Sequence, residues 1–176
     1  MLTVFTHQFL QQERTIKMSE DFITPKATTQ YFSQYGKSFQ EKIFQSLLSD
    51  REWAAQMVEV MDPGFFDVGY LEYLSDKFFS YYKKYKSFPT LSLMVTIVKD
   101  ALSQRDDVIL RDQIVSFLYR IKTSPDVGDL AFVKDKALDF CRKQAFKDAL
   151  EQAVDLIQTE KFDSVLTLMK NAVSVG

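Results

Sequence analysis

One long helical pattern decides the fold of this chain. Residues Asp129–Glu160 read DLAFVKDKALDFCRKQAFKDALEQAVDLIQTE and contain neither Gly nor Pro. An uninterrupted helix of this length would extend roughly 48 Å, at about 1.5 Å per residue. The segment before it, residues 38–124, has the size of a domain about 25–30 Å across. Such a helix cannot bury its whole apolar face against that domain, so we expect it to contact a returning helix or another chain.

A second, shorter helical pattern provides the returning helix. It covers Phe162–Val175 and follows a turn marked by Lys161. A turn this short between two helices predicts an antiparallel hairpin. Ala145, Ala149 and Ala153 repeat at four-residue spacing, which favours close approach of the two helices. The apolar residues of the second helix predicted to face the first are Val165, Leu166, Leu168, Met169, Ala172 and Val173.

Shorter amphipathic patterns precede the hairpin and predict a head domain. Five stretches between residues 37 and 125 carry apolar residues at helical spacing, and no segment alternates with period two. We therefore predict an all-α fold, with a compact multi-helix head at 37–125 and a helical hairpin at 126–176. Residues 1–36 form an N-terminal extension without a clear pattern. Ser38, Asp67 and Asp163 are predicted helix caps.

Composition narrows the class of protein. The 176 residues are 46% hydrophobic and carry a net charge of −2, which argues against a dedicated nucleic-acid or membrane-surface protein. No apolar run approaches the roughly 20 residues of a membrane span. Cys141 is the single cysteine, so no disulfide forms within the chain, and its place on the apolar stripe predicts a core residue. These features predict a cytoplasmic protein without a membrane partner.

Motifs that could carry chemistry are incomplete. Gly36-Lys37-Ser38 resembles the end of a phosphate-binding loop, but Tyr31 stands where the first glycine is needed and no strand precedes it. The single histidine, His7, lies in the extension. No grouping of His, Cys, Asp and Glu has the spacing of a metal site. We therefore predict no catalytic, cofactor-binding or metal-binding residues in this chain.

Charged residues elsewhere have structural explanations. The carboxylate pairs Asp106-Asp107 and Glu20-Asp21 lie at turns or helix starts, where capping accounts for them. The run Tyr81–Lys86 interleaves tyrosines with lysines and could stack on single-stranded nucleic acid. The pattern favours tyrosines half-buried in the core and lysines solvated at a helix end.

Several stretches carry a resemblance to a known family. The opening helix of the head reads FQEKIFQSLLSD at Phe39–Asp50, and Phe65-Phe66 precedes a helix at Tyr70–Tyr85. The step SFPTL follows at Ser87–Leu91. The hairpin begins with VKDKAL at residues 133–138, with Arg142 close behind, and its second helix opens with FDSVL at residues 162–166. This order of elements resembles the N-terminal domain of DnaB-like replicative helicases, especially phage-encoded ones.

The resemblance implies a role in assembly. In that family the hairpins pair into dimers, three dimers form the collar of a hexameric ring, and the collar receives the primase and, in some systems, a helicase loader. ATP and Mg²⁺ bind a motor domain, which this chain lacks, so we expect a fragment of a longer helicase without a cofactor of its own. Single-stranded DNA would be met only indirectly. The alternative is a free-standing helical replication adaptor, such as a loader or accessory protein.

The hairpin also has more apolar surface than its second helix can cover. The residues predicted to mediate self-association or partner docking are Phe140, Phe146, Leu150, Val154, Leu166 and Met169. The alternative is that the head covers this face within the same chain.

Overall fold

Seven α-helices build the part of the chain that the computed structural model describes, residues 31–103 and 106–174. Two single-turn 3-10 helices, Phe32–Tyr35 and Pro63–Phe65, accompany them, and no strand occurs within these ranges. The α-helices are α1 Gly36–Ser49, α2 Arg51–Met57, α3 Gly69–Tyr85, α4 Leu91–Ser103, α5 Val108–Thr123, α6 Leu130–Gln158 and α7 Phe162–Val173. The prediction of an all-α fold is confirmed.

The core of the head forms around α1. Its residues Ile43, Phe44 and Leu47 are fully buried, and α1 packs against α2, α3 and α6. Phe44 meets Phe78 of α3 and Phe117 of α5, with ring centroids 6.2 and 6.0 Å apart. Burial of these large side chains provides the main favourable free energy of folding. The head is therefore a single core with α1 at its centre.

The first half of α6 belongs to this core. Val133, Ala137, Phe140 and Cys141 are buried in the same hydrophobic cluster as α1 and α3. The Phe140 ring lies 4.6 Å from that of Phe32. At 3% exposure Phe140 offers no surface to a partner, so its prediction as an interaction residue is wrong. The head covers this part of the helix, whereas no residue of α6 after Cys141 belongs to the core cluster.

The head begins earlier than the pattern indicates. Phe32, which the sequence places in the N-terminal extension, is fully buried. Its ring packs edge-on against Phe66 at 5.3 Å and Phe65 at 6.1 Å. The packed head therefore includes the 3-10 helix Phe32–Tyr35. Residues 1–30, including His7, Glu20 and Asp21, lie outside the described residues.

The hairpin has the predicted form. α6 runs without interruption over 29 residues, and the turn Thr159–Lys161 leads into α7. Glu160 turns the chain with φ of 57°. Asp163 lies in the first turn of α7 and makes no capping hydrogen bond, so its predicted capping role is wrong. Its charge still suits the positive end of the helix dipole.

Two other predicted caps, Ser38 and Asp67, are also wrong. Ser38 lies inside α1, which starts at Gly36, and α3 starts after Val68 rather than after Asp67. The Asp67 carboxylate accepts a hydrogen bond from the amide of buried Gln40 instead. At Asp67, a long-range contact has taken over the carboxylate that local spacing assigns to capping.

Candidate protein interface

An exposed apolar stripe runs along the second half of α6. Phe146, Leu150, Val154 and Ile157 are all exposed, with 46% of Leu150 accessible to solvent. At about 100° per residue, the four side chains fall within a sector of roughly 80°. Phe146, Leu150 and Val154 are among the residues that the sequence predicts for partner contact, and Ile157 adds a fourth exposed side chain to them. An exposed stripe of this kind is typical of a contact surface.

A matching stripe runs along α7. Phe162, Leu166 and Val173 are exposed, Met169 is half-buried, and no residue of α7 is fully buried. Their spacing of four, three and four residues puts them in a sector of roughly 60°. The sequence predicted that Leu166 and Val173 face back toward α6; that part of the prediction is wrong, because Leu166 is 61% exposed. The half-buried residues Val165, Leu168 and Ala172 face α6 instead.

The two stripes lie on the same side of the hairpin. Viewed from its N-terminus, the exposed sector of α6 lies about 90° clockwise from Ala149 and Ala153, which are buried against α7. The exposed sector of α7 has the same offset from its α6-facing side. In an antiparallel pair, equal angular offsets from the contact between the helices place both sectors on the same side. The two stripes therefore form a continuous surface. We call this surface the hairpin face; its members are Phe146, Leu150, Val154, Ile157, Phe162, Leu166, Met169 and Val173.

The opposite side of the hairpin is polar. A shallow groove of about 440 Å³ lies there between the two helices. Its polar lining residues are Gln152, Asp163, Ser164, Thr167 and Asn171. The hairpin is thus apolar on one side and polar on the other, as expected of a helix pair that buries one side against a partner.

Polar contacts fix the hairpin to the head. Lys134 of α6 donates to the Asp50 carboxylate over 2.8 Å, at the junction of α1 and α2. Lys42 donates to the Asp126 carboxylate at 3.1 Å and to the Gly128 carbonyl at 2.9 Å, which ties α1 to the loop before α6. The hydrogen bond from Lys134, followed by that from the Trp53 amide, lowers the pKa of Asp50.

A second group anchors α1 to α3 and α5. Glu41 accepts hydrogen bonds from the Tyr70 hydroxyl and from the Arg120 guanidinium, the latter at 2.7 Å. Burial and the neighbouring Glu41 carboxylate raise the pKa of Tyr70. The hydrogen bond to Glu41 also raises the pKa of Arg120. This group joins three helices of the head, and a small cavity of about 90 Å³ lies beside Glu41 and Arg120.

The incomplete phosphate-loop motif serves as a helix start. Gly36 opens α1 after a 3-10 helix, and Lys37 lies over the Tyr70 ring with Nζ 5.4 Å from the centroid. Asp107 caps α5 by accepting a hydrogen bond from the Leu110 amide at 2.9 Å. No group of three or more His, Cys, Asp and Glu residues in the described ranges could hold a metal ion. Cys141 is fully buried, and burial raises the pKa of its thiol.

No helix within residues 31–103 and 106–174 is long and apolar enough to cross a membrane. Comparisons of the chain with family models, with curated proteins and with solved structures find no match. The hairpin face is therefore interpreted from its own geometry.

Proposed function

We propose that this chain is the non-catalytic N-terminal domain of a phage-type, DnaB-like hexameric replicative helicase. Its work would be ring oligomerisation and docking of the primase or of a loader at the replication fork. The observation that carries the proposal is the hairpin face, on which two antiparallel helices present eight apolar side chains on one side. The order of the head helices before this hairpin supports the family assignment by resemblance.

A second copy of the chain is the simplest partner for the hairpin face. Isologous pairing brings the same surface of two protomers together about a twofold axis, so one apolar surface buries itself on both sides. The spacing of the stripe on α7 resembles that of a coiled-coil seam. Charged residues border the face, among them Lys147 on α6 and Lys170 on α7. Such a charged rim favours one register over others.

Under the proposal, this domain serves in assembly and ATP hydrolysis takes place in another part of the protein. Under the proposal, ATP and Mg²⁺ bind the motor domain, and this domain holds the ring together in the cytoplasm. Dimers joined by their hairpin faces would assemble three to a ring. Primase or a loader would then dock on the outer surface of the assembled collar.

The test of self-association is the mass of the chain in solution. Light scattering after size exclusion should give the wild-type chain a multiple of its 20.5 kDa mass. Leu150→Asp and Leu166→Asp should reduce it to a monomer, because each buries a charge in the contact. Ile109→Asp is the matched control, since Ile109 is an exposed apolar residue on α5, away from the hairpin.

Circular dichroism shows whether each variant is still folded. If Leu150→Asp and Leu166→Asp retain full helicity and the wild-type mass, the hairpin face does not mediate self-association. Docking is tested separately by titrating a phage primase into the wild-type assembly and into the Leu150→Asp monomer. Binding to neither form would remove primase docking from the proposal.

A further inference from the structure

One side of α3 carries tyrosines and lysines in alternation. Tyr73, Lys77, Tyr81, Lys84 and Tyr85 stand four, eight, eleven and twelve residues along from the first, so they share one side of the helix. We call this set the tyrosine–lysine ladder. It extends over about 18 Å of helix length.

Neighbouring members of the ladder contact one another. The Lys77 ammonium lies 5.1 Å from the centroid of the Tyr73 ring. The rings of Tyr81 and Tyr85 are 4.6 Å apart, and the Lys84 ammonium lies 5.1 Å from the Tyr85 centroid. The contacts thus form two groups along α3, Tyr73 with Lys77 and Tyr85 with Tyr81 and Lys84.

The end of the ladder is open to solvent. Tyr85 is 54% exposed and Lys84 is exposed, whereas Tyr82 turns the other way and stacks on Phe88 with centroids 4.3 Å apart. The Phe88 ring in turn stacks on buried Phe78 at 5.3 Å. Core packing thus explains Tyr82, as the sequence pattern predicted, but it does not explain Tyr85.

Positive charge is concentrated at this place. Residues 73–88 contain four lysines and one aspartate, a net charge of +3 in a chain whose total is −2. Asp76 pairs with Lys77 at 3.2 Å. Lys83 lines a groove together with Asp62 and with Tyr73, the first member of the ladder. Lys84 and Lys86 have no ion-pair partner among the described residues.

Lys86 occupies a backbone position that favours glycine. It follows the last residue of α3 with φ of 54° and ψ of 27°, the left-handed conformation typical of a helix end. Gly or Asn would adopt this conformation at lower cost. The chain nevertheless places a lysine there, which adds a positive charge to the open end of the ladder.

We propose that the tyrosine–lysine ladder binds single-stranded nucleic acid. Exposed aromatic faces stack on unpaired bases, and lysines neutralise the phosphates between them, which is the chemistry of sequence-tolerant single-strand binding. A duplex offers its phosphates but keeps its bases stacked inside, so it cannot use the rings. The ladder would give the domain a direct contact with a single strand, where the family resemblance implies only an indirect one. It lies on the head and does not depend on the hairpin face.

The test is fluorescence anisotropy with a labelled oligothymidine of about 20 nucleotides at low salt. Tyr85→Ala should weaken binding about tenfold, because it removes one base-stacking ring, and Tyr85→Phe should retain it. Lys84→Ala should weaken binding and reduce the slope of log affinity against log salt by about 0.7, the value for one phosphate contact on a single strand. Lys86→Gly should weaken binding while the melting temperature stays unchanged or rises.

Matched controls lie on α5. Tyr119 is an exposed tyrosine and Lys122 is a lysine in the last turn of its helix, as Lys84 is of α3. Tyr119→Ala and Lys122→Ala should leave affinity unchanged. The proposal is overturned if the wild-type chain does not bind oligothymidine, if the controls weaken binding as much as the ladder variants, or if a duplex binds equally well. An oligouridine of the same length shows whether the ladder takes RNA as well as DNA.

Discussion

Lys134, in the second turn of α6, donates to Oδ2 of Asp50 over 2.8 Å, while Oδ1 of the same carboxylate accepts the amide N–H of Trp53 at 3.0 Å. One side chain therefore caps α2 and holds the first helix of the hairpin. Since the hairpin face lies further along α6, this contact helps to set its position relative to the head.

Replacing Asp50 should separate its two roles. Asp50→Ala removes the cap and the ion pair, and we expect a loss of about 1–2 kcal/mol in the free energy of unfolding at pH 7. Asp50→Asn retains a capping oxygen and should lose less, because Asn caps nearly as well as Asp. Urea unfolding at pH 7 measures both changes. Equal losses in the two variants would mean that the whole loss in unfolding free energy comes from the ion pair with Lys134.

The same residue should make stability depend on pH. The pKa of Asp50 is lowered on folding, so its contribution is fully present above the unfolded value near 3.9 and is lost as pH falls through the folded pKa. The difference in unfolding free energy between the wild type and Asp50→Asn should therefore shrink from pH 7 to about pH 3. A difference that stays constant over this range would contradict the ion pair with Lys134.

Two phenylalanines of α6 should respond differently to truncation. Phe140→Ala removes a buried ring that contacts Phe32 and Phe65, and we expect a loss of about 3–5 kcal/mol in unfolding free energy. Phe146 is exposed, so Phe146→Ala should cost about 1 kcal/mol or less in the background of Leu166→Asp, which the proposed function expects to be monomeric. Chemical denaturation of both variants in that background measures the difference. Similar losses would mean that the two rings are equally buried.

The single cysteine reports on opening of the core. Cys141 is fully buried and its thiol pKa is raised, so a thiol reagent at pH 8 should label the native chain only through unfolding. Labelling should be slow in buffer and should accelerate with urea in parallel with global unfolding. Phe140→Ala should accelerate it further, because the neighbouring packing is lost. Rapid, complete labelling of the native wild type would contradict this packing of α6.

The turn of the hairpin can be stabilised. Glu160 adopts φ of 57°, which costs a residue with a Cβ about 1 kcal/mol relative to glycine. Glu160→Gly should slow amide exchange in Phe162–Val173, because α7 packs mainly on α6 and its opening requires this turn to loosen. Exchange in α1 should not change. Hydrogen exchange with mass spectrometry resolves the two helices, and faster exchange in α7 would contradict the expectation.

Helix order is the part of the fold that local pattern predicts well. The long run without Gly or Pro forms one helix at Leu130–Gln158, and a turn at Thr159–Lys161 returns the chain, because both follow from spacing and turn chemistry along a few residues. Caps fare worse. Ser38, predicted as a cap, lies inside α1, and the Asp67 carboxylate accepts a hydrogen bond from Gln40 instead of capping α3.

The sequence does not predict whether each apolar side chain of the hairpin faces the core or solvent. Phe140 and Phe146 both lie in an apolar pattern wider than one stripe, and nothing local shows that Phe140 meets Phe32 while Phe146 stays exposed. Ile157 and Val173 are similar cases on the two arms of the hairpin. The spacing of four, three and four residues in the α7 stripe does indicate one apolar side of the helix. It does not show whether that side faces α6 or solvent, because the position of α7 relative to α6 is not contained in the spacing.

The sequence by itself determined that this chain is helical, where its longest helix runs and that a hairpin follows, because periodicity and turn residues act over a few positions. Only the tertiary structure decided how the apolar residues of that hairpin are divided. The apolar residues in the first half of α6 are buried in the core of the head. Those in the second half form one exposed face with α7. That division depends on which distant side chains reach each turn of the helix, a property of packing in three dimensions that spacing along the chain does not contain.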